Sequence, residues 1–163
     1  KITGSERYAD PYIIDKKPEI VRWHEDMFAV TEVLGLCSFA TTSQLYLTPE
    51  LLTEMFYAVT GVKISVSQLL LIGRRVITLE RCFNVREGLR RKDDVLPWRM
   101  MNEAVTWTPG KGQINSKEEM DIMLDRYYEL HGWDKTTGIP KYQTLVKLNM
   151  KDIAEDLRKR GIC

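Results

Sequence analysis

Residues 65–99 read SVSQLLLIGRRVITLERCFNVREGLRRKDDVLPWR, and the fold turns on them. Ser65 and Gln68 have capping-box spacing, so a long central helix is expected from there to about Gly88. At about 100° per residue, Leu69, Ile72, Val76, Leu79 and Phe83 share one apolar face. Glu80, Asn84 and Glu87 fall within about 60° of Leu69 on the same count. Half of the twenty residues from Glu80 to Arg99 are charged. A carboxylate on a core-facing stripe has to be paired, because burying an isolated charge is prohibitive. The segment therefore predicts a buried ion-pair network, with Arg81, Arg86, Arg90, Arg91 and Arg99 as the cations.

Working outward, helical signals recur on both sides. A first helix is expected from Lys17 to about Val33, with Pro18 in its first turn and a stripe of Val21, His24, Phe28 and Thr31, with Ile20, Met27 and Leu34 alongside. It ends near Gly35, and Leu36-Cys37-Ser38-Phe39 makes a tight connection. Thr48-Pro49-Glu50 opens a second helix that stops at Gly61. Beyond the central helix, Lys92-Asp93-Asp94 is a polar turn, and Leu96-Pro97 marks a chain reversal or the start of a short helix through Met101. Ser116 and Glu119 cap a helix through roughly Leu130, whose stripe is Met120, Met123, Leu124, Tyr127 and Tyr128. Gly132, Gly138 and Pro140 precede two short helices, Thr144–Leu148 and Lys151–Arg160. No alternating run of useful length marks a strand. The expectation is one all-α domain over 1–163, with about six or seven helices around a long central one and an irregular arm over 1–16.

The 163 residues suffice to bury a core, and 44% hydrophobic with 29% charged residues is ordinary for a globular chain. A formal net charge of +1 gives no footprint for nucleic acid or for a membrane surface. The chain opens on Lys1-Ile2-Thr3-Gly4, which reads as the interior of a longer polypeptide. Three cysteines, Cys37, Cys82 and Cys163, stand far apart, with no CxxC pair for a zinc or dithiol centre. Few cysteines and no secretory signal point to a reducing, cytoplasmic setting.

By residue chemistry, a cysteine flanked by Leu36 and Phe39 is first a small buried hydrophobe, although a loop cysteine after a helix can ligate a metal. His24 reads as a core histidine and His131 as a helix C-terminal residue suited to the dipole. Neither has a second histidine at metal spacing. Gly110-Lys111-Gly112 lacks the rest of a phosphate loop. No nucleophile elbow or catalytic carboxylate pair stands out, so no catalytic residue is assigned.

Several motifs, taken together and in order, resemble the C-terminal region of the tungsten-containing aldehyde:ferredoxin oxidoreductase family. They are Gly35-Leu36-Cys37, the run from Glu80-Arg81 through Asn84–Gly88 and Arg91–Asp94 to Leu96-Pro97 and Arg99, then Gly110-Lys111-Gly112, Met123–Tyr128, Gly132-Trp133-Asp134 and Gly138-Ile139-Pro140. The resemblance spans about residues 17–160. It implies a domain fragment of a cytoplasmic oxidoreductase that converts a small aldehyde to a carboxylic acid and passes electrons through a 4Fe–4S cluster to ferredoxin. It implies tungstopterin, or the molybdopterin equivalent, held between domains. Cys37 inherits the role of fourth cluster ligand, while Glu32, Leu36 and Ser38 occupy pterin-facing positions. Glu32 replaces the family's usual aspartate, which displaces the acceptor by one methylene. The remainder of the polypeptide is the first partner expected, and a homodimer is compatible with the resemblance. The isolated fragment is expected to hold no cluster or tungsten and to have no turnover. The competing readings are a non-catalytic helical scaffold of the same fold, or a family member acting on a different acid or acyl substrate.

Overall fold

A computed structural model describes residues 2–39, 41 and 47–163. Seven α-helices account for its regular structure: α1 Lys17–Val33, α2 Pro49–Thr60, α3 Val66–Arg86, α4 Trp98–Asn102, α5 Lys117–His131, α6 Tyr142–Lys147 and α7 Lys151–Lys159. Short 3-10 helices occupy Glu6–Ala9 in the arm and Arg91–Asp93 in the polar turn. Among the described residues there is no strand, only an isolated bridge between Trp133 and Pro140. The all-α expectation holds.

The caps form where the side chains predict them. Thr48 accepts from Leu51 N–H at the start of α2 and Ser116 from Glu119 N–H at the start of α5. Ser65 and Gln68 complete a reciprocal capping box that satisfies two orphan donors of α3. α3 is the spine of the molecule. α1 and α2 pack on it, α5 packs on α1, and α6 and α7 close against each other with α7 touching α3.

Two separate cores use this spine from different sides. Met27 and Val30 of α1, Leu52 of α2 and Leu69 of α3 form one. Cys82 and Val85 of α3 join Leu145, Leu148, Met150, Ala154 and Leu157 in the other. At about 100° per residue, the thirteen steps from Leu69 to Cys82 turn the buried face roughly 140° around the axis. A single apolar stripe along α3 is therefore the wrong description. Ile72, Leu79 and Phe83 are 37%, 48% and 55% exposed, and Glu80, Asn84 and Glu87 also face outward. The expected buried network around those three polar residues does not form. On α1 the stripe holds in part: Thr31 and the adjacent Met27 are buried, but Val21 is exposed, His24 and Phe28 are half-buried, and Asp26, Ala29 and Val30 are buried instead.

The buried charge on the signature segment belongs to Arg81 instead. Its Nη1 and Nη2 donate to the Asp94 carboxylate at 2.9 and 2.7 Å, and its Nε donates to the Gly138 carbonyl at 2.8 Å. Tyr128 donates its hydroxyl to the same carboxylate. The guanidinium lies 5.6 Å from the Tyr128 ring centroid and 5.3 Å from that of Trp133. Burial acts to lower the Arg81 pKa, but the hydrogen bond and charge of Asp94 outweigh it and raise it. Four segments thus meet at one cation. A Cβ on Gly138, whose φ is +73°, would stand 2.1 Å from Arg81 Nη2. Arg91 makes a second, more exposed junction, with Asp125 at 2.6 Å and Asp121 at 3.3 Å. The other signature arginines serve locally: Arg90 donates to the Val85 and Leu89 carbonyls, and Arg86 and Arg99 hold exposed pairs with Glu87 and Glu103.

Asp94→Ala leaves Arg81 without its counter-charge and should cost about 3–5 kcal/mol in urea unfolding. Glu80→Gln and Glu87→Gln should each stay within about 0.5 kcal/mol. Comparable losses at Glu80 and Asp94 would overturn this assignment of the buried charge. Gly138→Ala combines left-handed strain with the Arg81 clash and should cost about 3 kcal/mol or more on the same measurement.

Asp134 accepts from the Thr137 hydroxyl and N–H and from the Thr136 N–H, which holds its carboxyl below the ordinary 3.8. A depressed acid contributes stability that is present above its unfolded value and lost as pH falls through its folded one. Asp134→Asn should therefore leave less acid sensitivity below about pH 4, read from the urea midpoint at successive pH values.

Candidate functional site

The end of α1 is built by its own backbone. Gly35 takes φ +71°, its N–H donates to the Glu32 carbonyl at 3.0 Å, and Leu36 N–H donates to the Thr31 carbonyl at 2.9 Å. This pair of bonds is a Schellman turn, in which glycine adopts the left-handed conformation without Cβ strain. The turn sends Leu36 inward and Cys37 outward. Leu36 is half-buried against the Met27, Val30, Leu52 and Leu69 core, whereas Cys37 is exposed. The Cys37 carbonyl accepts from Thr41 Oγ1 at 2.9 Å, and the Ser38 carbonyl accepts from Thr41 N–H at 3.3 Å. Cys37 is thus held at both sides while its sulfur stays accessible, against the ordinary reading of a flanked cysteine as buried.

The other two cysteines stand elsewhere. Cys82 lies 3% exposed in the α3–α6–α7 core, where burial pushes its thiol up to about 12. Cys163 rests near the Ala154 carbonyl of that core. Among the described residues, no group of three or more His, Cys, Asp or Glu side chains could hold a metal ion. A cluster cannot therefore be completed from the described residues, but an exposed thiol on a fixed turn suits a single ligand to a cluster held mainly by other segments.

Glu32, on the last turn of α1, is exposed and lines a groove of ≈ 420 Å³ between α1 and α3. Its floor includes Phe28 and Ile77, and Glu25, Glu80 and the half-buried His24 stand along it. His24 is therefore a groove residue, edge-on to Trp23 at 5.1 Å, and not a core histidine. Carboxylates on an apolar floor offer acceptors to a planar ligand bearing N–H donors. Ser38 is half-buried beside Cys37, so Glu32, Leu36, Cys37 and Ser38 all fall on one end of α1.

Two polar clusters on α1 were not read from the sequence. Glu25 accepts from the Tyr127 hydroxyl at 3.1 and 3.0 Å, and lies 3.5 Å from His131 Nε2. Burial and the Glu25 charge raise the Tyr127 pKa far above its ordinary value. His131 is buried between the Tyr127 and Trp133 rings, at centroid distances of 4.4 and 4.7 Å. The second cluster is Asp26, 2% exposed, with Arg74 donating to both carboxylate oxygens. No local sequence signal pairs Asp26 with Arg74, which lies 48 residues further on. Gly110-Lys111-Gly112 lies in a loop between α4 and α5, as expected, where Gly112 N–H donates to the Val105 carbonyl and the Gly110 carbonyl accepts from Gln113 N–H.

The family model described as aldehyde ferredoxin oxidoreductase, domains 2 and 3, matches residues 2–150. The chain is 35% identical over 154 residues to the tungsten-containing aldehyde ferredoxin oxidoreductase of Pyrococcus horikoshii, covering 93% of this chain and 24% of that protein. The corresponding protein of Pyrococcus furiosus is 33% identical over 143 residues, covering 86% of this chain and 23% of that protein. An aliphatic sulfonate oxidoreductase, WOR-like subunit, of Pyrococcus furiosus is 30% identical over 130 residues, with 76% and 20% covered. Among solved structures, the active-site complex BamBC of benzoyl coenzyme A reductase with 1,5-dienoyl-CoA superposes with a TM-score of 0.76 at 26% identity, covering 94% of this chain and 22% of that one. The chain thus spans about a quarter of the length of the curated relatives it matches. Matched over most of its length by the family model and by these relatives, the chain belongs to the aldehyde ferredoxin oxidoreductase family.

Proposed function

We propose that this chain is the C-terminal helical domain of a tungstopterin aldehyde oxidoreductase and supplies one ligand of a 4Fe–4S cluster through Cys37. The observation that carries this reading is the exposed thiol at the end of the Gly35 turn, in a chain of this family. A cluster needs four ligands, and one drawn from this domain ties its packing to the electron path. Glu32 and Ser38 are proposed to face the pterin from the same end of α1, and Leu36 to anchor the turn beneath it. Bound tungstopterin supplies the two-electron oxidation of the aldehyde, and ferredoxin is the proposed acceptor of the electrons. This chain's part is to place a thiolate, offer carboxylate acceptors and exclude water from one side of the cofactor. No helix of the described residues is long and apolar enough to cross a membrane.

A second reading keeps the cofactor and changes the substrate. It is favoured by likeness to proteins named for an aliphatic sulfonate and for benzoyl coenzyme A. The residues of this domain do not choose between them, since the Glu32–Ser38 segment faces the cofactor in either case.

The test is anaerobic expression of the full-length protein with tungstate, followed by iron and sulfide analysis and dye reduction across aldehydes, acyl thioesters and sulfonates. Aldehyde-dependent reduction is expected, and turnover of thioesters or sulfonates alone would favour the second reading. Cys37→Ser should lose most cluster iron, and an intact cluster in that variant would refute the ligand assignment. The isolated 163-residue chain is expected to bind no stoichiometric cluster.

A further inference from the structure

We infer that Asp26, Gly73 and Arg74 are positioning residues for Cys37, an inference that rests on Cys37 being a cluster ligand. Adjacent residues of α3 grip one residue of α1 in two different ways. A Cβ on Gly73 would stand 2.1 Å from the Asp26 carbonyl oxygen, so the two backbones touch at this point and only glycine fits. Arg74 then closes on the Asp26 side chain, Nε to Oδ1 at 3.0 Å and Nη2 to Oδ2. The backbone contact sets the separation of α1 from α3. The two-pronged pair sets rotation and axial slip, because parallel N–H···O bonds tolerate little sliding.

From Asp26 the helix runs unbroken to Val33 and passes directly into the Gly35 turn that presents Cys37. No flexible joint intervenes over those eleven residues, so a shift at Asp26 is carried to the thiol. Stability alone gives little reason for the arrangement. A buried ion pair can often be replaced by apolar side chains of similar volume with no loss of stability, and its best-attested use is to fix register. A shared cluster makes register matter, since metal–ligand distances are held to about 0.2 Å. The apolar contacts of Met27, Val30 and Leu69 hold α1 against α3 but are tolerant of such shifts.

The experiment uses the full-length protein assembled anaerobically, with iron content and the EPR spectrum of the reduced cluster as readouts beside the melting temperature. The Asp26→Leu/Arg74→Met double variant should keep its Tm within about 4 °C of the parent. It should nonetheless lose at least half of the cluster iron, or show an altered EPR spectrum. Arg74→Lys keeps the charge without the fork and should show a smaller change of the same kind, which covers the case where the double variant fails to fold. Parental iron content and EPR spectrum in a folded double variant would overturn the positioning role, and so would their persistence in Arg74→Lys if the double variant does not fold. Cys37→Ser, run in parallel, separates the two levels. A lost cluster there with parental spectra in the others sinks the positioning role alone, whereas a retained cluster sinks the ligand reading beneath it.

Discussion

One guanidinium sets the terms for half of this molecule. Arg81 is 7% exposed, and a charge at that depth is tolerable only when every donor is met. Asp94, the Gly138 carbonyl and the faces of Tyr128 and Trp133 meet it. They come from three segments, so the loop after α3, the C-terminal half of α5 and the turn before α6 are located by a single cation. The spacing of the signature follows from this: an arginine thirteen residues before an aspartate spans the end of α3 and its returning loop. Glycine at 138 is required because nothing larger leaves the guanidinium room.

Much of the fold was legible because its signals are local. Capping residues and glycines mark the helix boundaries, and Pro18 and Pro49 sit in first turns where they cost no hydrogen bond. The choice of buried face on α3 was not legible. A periodicity count assumes one partner surface, and this helix has two, one on each side of its length. That is why Glu80, Asn84 and Glu87 seemed to face the core, and why Cys82 on the far side proved to be core. Residues that need a partner distant in sequence escaped in the same way: nothing near Asp26 announces Arg74, and nothing near Glu25 announces Tyr127.

Of the candidate site, only the turn that carries it was legible. Gly35 at the end of α1 is a local instruction, and the turn forms as the residue types require, whereas the outward placement of Cys37 was not legible from its Leu36 and Phe39 neighbours. The chemistry proposed for it came from resemblance, since among the described residues no metal-ligating group gathers around the thiol. The groove beside Glu32 was invisible beforehand because it is made jointly by α1 and α3, and His24 lines it because burial on α1 centres on Asp26, Met27, Ala29 and Val30.

The pairing of α1 with α5 spans 102 residues between Glu25 and Tyr127. A ribosome adds about 5–20 residues per second, so α1 is finished roughly 5–20 s before this partner is synthesised. During that interval Glu19 and Glu25 lack the Arg126 and Tyr127 groups that hold them in the finished fold. The helix that leads to Cys37 is among the earliest made, and although α3 can receive it soon after, its contacts with α5 come late. The seating of α1 against α5 is thereby tied to synthesis of the chain through Tyr127.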